Sequence, residues 1–471
     1  MRKPWPISLL FLLLLVALLA GAGCETFDAG RVRQDQSRAF RETLDRQARE
    51  LLARPLSLDD CIRIAMTNNY AARQADLDTA LQRIAKNVAF TAFLPNVSLS
   101  AGYNAHHKAP NAMSEKRYGQ ASLDAGVPIF MPSAWFLYAA TRHGYRAAEL
   151  AANHVRQGIA LETSQAYYQV LVLQETVAAL ETQLAAVREN AGRIEGLARE
   201  GFFTAWERDQ ARLQVEMRQA ELDTARRRLD VARGDLLATL GLSPLLAVDT
   251  NRALRLSGEI GGARRPAGAT ADLVLAALES HPLLAIADRQ VVMSEHAVRR
   301  AFTAFLPVLN LSASGTWTGN ELADHASNWM TAFGGVWQLF SGFANVARYK
   351  AAKVERRQSE LERESSFLSI MSQVVAAEAA VRDAAESARI YQRAYEVAAA
   401  RHADYDARSR EGLLPLSEAL DARASMDLAQ VALVKSRYQE RIALATLELA
   451  MGVTPIPAPG AEPSARTPPP Q

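Results

Sequence analysis

Side chains able to do catalytic or ligating chemistry are few in this chain, and they do not converge. Its eight histidines are scattered through 471 residues, mostly in loops or on helix faces. His106 and His107 share a loop with Met113, a set that suggests metal capture, although a solvated loop fits the same residues. No G-x-x-x-x-G-K-[ST] phosphate loop is present, so energy for any transport work would come from a partner. No catalytic constellation is found, and neither an enzyme, a metal site nor a cofactor is expected. The net charge is +2, with no basic run interleaved with aromatics, which removes nucleic acid as a partner. Two cysteines, Cys24 and Cys61, permit at most one disulfide.

The first cysteine points to different chemistry. Arg2 and Lys3 precede an apolar run, Ile7 to Ala20, and the small residues Gly21, Ala22 and Gly23 lead to Cys24. The apolar run is shorter than the roughly 20 residues that span a bilayer, so cleavage is expected rather than a retained anchor. Small residues ending on Cys resemble a bacterial lipobox, with Gly21 where Leu is usual. On this resemblance residues 1–23 are a lipoprotein signal peptide, Cys24 becomes the acylated N-terminus (a palmitate site), and Glu25 favours the outer membrane. An ordinary secretory peptide cut nearby is the alternative. With Cys24 acylated, Cys61 has no partner and acts as a small apolar core residue.

The elements behind these residues are organised by a repeat. Ala89 to Pro95 reads AFTAFLP, and Ala301 to Pro307 repeats it unchanged, 212 residues later. In both copies a helical pattern runs in, Pro breaks it, and strand alternation runs out. A repeat of this size means two copies of one supersecondary unit. The composition, rich in Ala, Leu, Arg, Glu and Gln, favours long helices. After a lipidated lead at residues 24–56, repeat one covers 57–244, with a β-hairpin at 96–128 and long helices at 134–241. A connection at 245–269 leads to repeat two, 270–455, with a hairpin at 308–338 and long helices at 343–452. The tail, 456–471, is rich in Pro and Ala and predicted to be disordered.

Within repeat one, Ser57 and Asp60 predict a capping box for a short helix that ends at Asn68-Asn69. Pro128 to Ser133 is expected to break the second strand. Ala166, Val170, Leu173, Val177, Leu180, Leu184, Val187, Ala191 and Ile194 form a heptad seam. Val381, Ala384, Ala388, Tyr391, Tyr395 and Ala398 are its expected counterpart. Gly201 and, 211 residues later, Gly412 mark helix turns, with Thr204 and Ser417 capping or beginning the return helices. In the hairpins, Val97, Leu99, Ala101 and Tyr103 alternate with polar or small residues. So do Leu309, Leu311 and Ala313 and, on the returning strand, Met330, Ala332 and Val336. Alternation alone fits a soluble sheet or a membrane barrel. Runs of about ten residues, with Tyr103, Tyr118, Trp317, Trp329 and Trp337 at strand ends, suit the barrel. Four strands cannot close in lipid, so such a chain must oligomerise, and three copies would supply twelve strands.

The doubled AMTNNY and ALESHP starts, the doubled FLP, the Gly turns and the doubled LGLSP and MGVTP ends resemble the TolC family of outer-membrane efflux proteins, in its lipidated branch. The likeness covers about residues 57–455. It implies an α+β membrane protein: a trimeric 12-stranded transmembrane β-barrel continued by a periplasmic α-barrel of coiled-coil helices. It also implies an exit duct for a tripartite efflux or type I secretion system, passing drugs, metals or other substrates. The partners implied are two sister subunits, a periplasmic adaptor, an inner-membrane pump and outer-membrane lipid. By that resemblance the duct narrows at Glu418 and Asp421, three apart on one helix face, matched in repeat one by Glu207 and Gln210. Rings of such carboxylates favour cations; solvated helix charges are the alternative. The family's basic latch partner would fall at Leu414. Gly201, Phe202, Phe203, Gly412, Leu413 and Leu414 are the expected adaptor surface, with local tip packing as the alternative. The competing class is a periplasmic coiled-coil scaffold or adaptor lipoprotein with a soluble sheet.

Overall fold

A computed structural model describes residues 28–39, 54–108, 115–244, 254–257 and 268–453. The expectations for the signal segment, Cys24, Met113 and the tail lie outside the described residues. A first helix, α1 (Ala29–Ala39), precedes the repeats. Repeat one is α2 (Leu58–Asn68), α3 (Tyr70–Thr91), β1 (Asn96–Ala105), β2 (Arg117–Phe130), α4 (Pro132–Arg199) and α5 (Ala205–Thr239). Repeat two is α6 (Thr270–Ser280), α7 (Pro282–Phe302), a 3₁₀ turn (Thr303–Phe305), β3 (Val308–Thr318), β4 (Ser327–Val336), α8 (Ala344–Arg410) and α9 (Leu416–Ala450).

Local chemistry sets these boundaries. Ser57 and Asp60 form the capping box of α2: Asp60 N donates to Ser57 Oγ at 3.2 Å, and Ser57 N to Asp60 Oδ2 at 3.4 Å. Asn69 caps α3, its Oδ1 accepting from Ala71 N at 2.8 Å, and His281 caps α7, its Nδ1 accepting from Leu283 N at 3.1 Å. Each FLP closes its helix with a tight turn. Leu94 N donates to Thr91 O at 3.0 Å, and Leu306 N to Thr303 O at 3.0 Å. Proline, with no N–H to donate, then releases the chain into a strand.

The four strands form one antiparallel sheet in the order β1-β2-β3-β4, so β1 and β4 are its edges. Register places Leu99 opposite Leu123, Leu123 opposite Gly315, and Gly315 opposite Trp329. Opposed residues share a face, so Val97, Leu99, Leu123, Val127, Leu311, Trp317, Trp329 and Phe333 make one apolar face. Ser100, Ser122, Thr316 and Asn328 occupy one rung of the other, polar face. Trp329, at 77% exposure, and Leu99, at 74%, show how bare the apolar face is.

Two sequence expectations are corrected here. Pro128 does not end the strand: β2 continues to Phe130 through a register shift between Pro128 and Phe130, a bulge that tolerates the missing N–H. Met330, Ala332 and Val336 lie on the polar face. Pairing with β3 puts Trp329, Thr331 and Phe333 on the apolar one, a phase that the short alternation of small residues left undetermined.

The helices form a layer. Nearest the sheet they run α3, α4, α7, α8; farther away they run α5, α4, α9, α8. At 68 residues, α4 is roughly 100 Å long. Every predicted residue of its seam is buried or half-buried, with Val170 and Leu184 inside. In α8, Ile370, Val374, Ala377 and Val381 are buried, but Tyr391 is exposed. The seam steps instead to Gln392, whose Oε1 accepts from Arg437 Nη2 of α9 at 2.6 Å. A four-residue step there keeps pace with the 3.6-residue period.

Each repeat has its own core. Cys61, Ala65, Tyr167, Val170, Leu236 and Leu240 anchor the first; Leu273, Ala277, Val374, Val381 and Leu447 anchor the second. Burial pushes the Cys61 thiol up to about 12, so it stays neutral and packs as an apolar residue. Leu56 bridges Leu256 in parallel, and Tyr167 Oη donates to Ser257 O at 2.8 Å, holding part of the connection over the first core.

Candidate functional site

The tip farthest from the sheet is built by two glycine turns of the same design. Gly201 has φ +89° and Gly412 φ +74°, left-handed values that glycine adopts without a Cβ clash. Phe202 N donates to Leu197 O at 3.0 Å and Leu413 N to Arg408 O at 2.9 Å, the six-to-one bond that closes such ends. A Cβ built on either glycine meets nothing within 4 Å. Basic side chains flank both turns: Arg199 and Arg212 reach Glu195 at 3.3 and 2.8 Å, and Arg410 reaches Asp406 at 2.5 Å. Hydrogen bonds from Arg212, then Arg199, hold the Glu195 carboxyl below its usual range.

The return helices start differently. Thr204 caps α5 in a full capping box: Thr204 Oγ1 donates to Glu207 Oε2 at 2.6 Å and Thr204 N to the same oxygen at 2.8 Å. These two bonds, the hydroxyl's first, hold Glu207 below the usual carboxylate range. Pro415 starts α9 with no side-chain cap, and Glu418 sits in its first turn. The carboxylate of Glu207 is therefore engaged by its own helix start. Glu418 and Asp421 are exposed on a helix whose opening N–H groups lack that partner.

Packing divides the predicted acidic set. A cleft of about 310 Å³ lies between α4, α5 and α9. It gathers Glu207, Gln210 and Asp421, with Phe203, Trp206, Val187 and Ile194 as its apolar walls; Glu418 is outside it. Phe202 and Leu413 project at 75% and 72% exposure, Phe203 is partly drawn into the cleft, and Leu414 is half-buried. Of the six predicted partner-surface residues, Gly201, Phe202, Gly412 and Leu413 are thus exposed, and Phe203 and Leu414 are partly packed.

Sequence reasoning missed a buried polar pair between the coils of repeat two. His402 Nδ1 on α8 and Asp427 Oδ2 on α9 are both buried and lack hydrogen-bond partners among the described residues. Burial pushes the Asp427 carboxyl up, against the pull of Arg423 and His402. Neither residue has a sequence signal, because each is one polar position in a long polar helix. His106 lies beside the Tyr118 ring, at 6.2 Å between centroids. Among the described residues no group of three or more His, Cys, Asp or Glu could hold a metal.

A family model described as Outer membrane efflux protein matches residues 62–242 and 273–453. The fold is similar to that of a membrane protein from Pseudomonas aeruginosa, at TM-score 0.70 and 21% identity over 84% of this chain and 92% of that one. The Campylobacter jejuni CmeC outer membrane channel matches at TM-score 0.69 and 18% identity, over 84% and 85%. The open state of the Neisseria gonorrhoeae MtrE outer membrane channel matches at 0.67 and 18%, over 84% and 89%. A comparison with curated proteins finds no match.

Proposed function

This chain belongs to the outer membrane efflux protein family, and on that premise we propose that three copies form a passive exit duct for a tripartite efflux or secretion machine. The observation that carries the proposal is the open sheet: four strands, one bare apolar face, and both edges unpaired within the chain. Lipid offers no hydrogen bonds to an open edge, so β1 must meet β4 of a neighbour until a cylinder closes. Three chains give twelve strands, enough for a water-filled interior lined by the polar face.

The helices support the same closure. On α3, at one margin of the layer, Tyr70, Leu77, Leu81, Ile84 and Val88 form an exposed stripe at heptad spacing. On α8, at the other, Val354, Leu361, Leu368 and Val375 recur every seven residues and are also exposed. Such stripes on opposite margins are complementary coiled-coil seams for adjacent subunits.

In this reading Glu418 and Asp421 face the axis as acidic rings that narrow the duct and favour cations. Glu207 and Gln210 back Asp421 from the first repeat. Phe202, Phe203, Leu413 and Leu414, set by Gly201 and Gly412, receive a periplasmic adaptor, which links the duct to an inner-membrane pump. Leu414 cannot form the salt bridge of a basic latch, so closure relies on packing and the acidic rings. Acylation at Cys24 adds a lipid anchor, and no catalysis is involved. Detergent-solubilised protein should run as an SDS-resistant, heat-modifiable trimer and conduct ions in planar bilayers. A monodisperse single-chain species that is soluble without detergent would reject this reading in favour of a periplasmic scaffold.

A further inference from the structure

Directly beneath the strands the two repeats carry the same layering. In the first, Phe93 lies 5.9 Å from Phe90 and 5.6 Å from Trp135, and Phe90 lies 5.7 Å from Tyr138. Farther from the sheet, Lys86 stands 4.9 Å over the ring of Tyr145. In the second, Phe302, Phe305 and Tyr349 cluster at 6.0 to 6.5 Å, and Lys353 stands 4.6 Å over Tyr349. Trp337, just past the end of β4, donates Nε1 to Phe305 O at 3.0 Å, joining the sheet to this cluster. These rings are not a closed core: Trp135 is 69% and Phe302 50% exposed.

Charge follows the rings. The eleven residues of α3, α4, α7 and α8 at their strand-side ends, about 16 Å of helix, carry eight Lys and Arg and one carboxylate, Glu295. Arg142, Arg300, Lys350 and Lys353 are all exposed. Of the eight, Arg299 alone is ion-paired among the described residues, with Glu295 at 3.1 Å. Exposed rings next to strand ends suit a lipid interface, and basic side chains lay their stems along apolar surface while their heads reach phosphates. Anionic lipid attracts each such cation.

We propose that these helix ends form a collar that binds the headgroups of anionic phospholipids in the membrane leaflet on the helical side. The proposal rests on the barrel reading above, because the collar must lie at the membrane surface. Its test uses the full-length trimer in bilayers containing spin-labelled phosphatidylglycerol or phosphatidylcholine, and reads the motionally restricted fraction of each. About a threefold or greater preference for phosphatidylglycerol is expected, falling towards unity at about 1 M salt, where charges more than about 3 Å apart are screened. In R142Q/R300Q/K350Q/K353Q the preference should collapse while the trimer and its conductance persist. Inorganic phosphate should compete no better than sodium chloride at equal ionic strength, since the headgroup is held at the surface by its acyl chains. Equal restriction of both lipids by the wild type overturns the collar, as does a preference that survives both high salt and the four substitutions. If neither lipid is restricted, the barrel itself is wrong, a separate result.

Discussion

At the tip, Gly201 and Gly412 turn the chain in open space. At the other end of the return helices, Gly241 and Gly452 turn it with the same backbone geometry, φ +72° and +74°, but against a neighbour. A Cβ on Gly241 would lie 2.5 Å from the carbonyl oxygen of Asn68, and one on Gly452 would lie 2.7 Å from Pro282 Cδ. Leu242 N to Leu237 O at 2.8 Å and Val453 N to Glu448 O at 2.8 Å repeat the bonds seen at the tip. The helix-ending rule is therefore shared, and the surroundings decide its role. In the middle of the molecule the turn clamps return helix to entry helix, aided by Asn69 Nδ2 donating to Thr239 O at 2.8 Å. At the tip nothing leans on the turn, which leaves it free for a partner.

The largest effect that separates the two regions should come from Gly241→Ala. Left-handed strain plus a backbone clash should cost about 3 kcal/mol or more, read as a lowered thermal midpoint of the trimer. Gly201→Ala, with strain and no clash, should cost about 1 kcal/mol. Equal losses would show that the tip is as tightly held as the middle. Next, Thr204→Ala should cost about 1 kcal/mol through the lost cap, and protease cleavage at the first tip should rise. Pro415→Ala has no cap to remove and should change cleavage at the second tip much less.

Within the tip, Glu418→Ala combined with Asp421→Ala should raise single-channel conductance and lower cation selectivity in planar bilayers. Glu207→Gln should shift both less, since that carboxylate is committed to Thr204. An unchanged double variant would remove the acidic-ring assignment.

The smallest effect distinguishes the two entry-helix caps. His281 accepts through Nδ1 and is therefore neutral there; burial, then His154, holds it below the ordinary histidine value. Its stabilisation is complete above about pH 6.5 and is lost as pH falls through the lowered folded value. His281→Asn copies Asn69, keeps the acceptor and removes this proton-linked loss. The fall in midpoint between about pH 7.5 and about pH 5 should become smaller. It should not vanish, because His143 and His296 are lowered by burial in the same direction. An unchanged fall would mean that the cap does not titrate.

Much of the fold was legible because it rests on short-range chemistry. The proline of FLP, the Ser57–Asp60 box, the glycine turns and the α4 heptads each act within a few residues, so the doubled sequence could announce a doubled unit. The phase of β4 was not legible. Ala332 and Thr331 are both small, and only pairing Phe333 with Leu311 sets which of them faces outward. The step of the α8 seam from Tyr391 to Gln392 depended likewise on where Arg437 of α9 sits.

The sequence by itself determined which elements exist, in what order and with which apolar faces, because propensity, capping and hydrophobic period are local properties. Only the tertiary structure decided that Asp421 shares a cleft with Gln210 while Glu418 does not, and that Gly241 is clamped while Gly201 is bare. Those are distances between residues far apart in the chain. They follow from how whole helices pack, which no window of sequence contains.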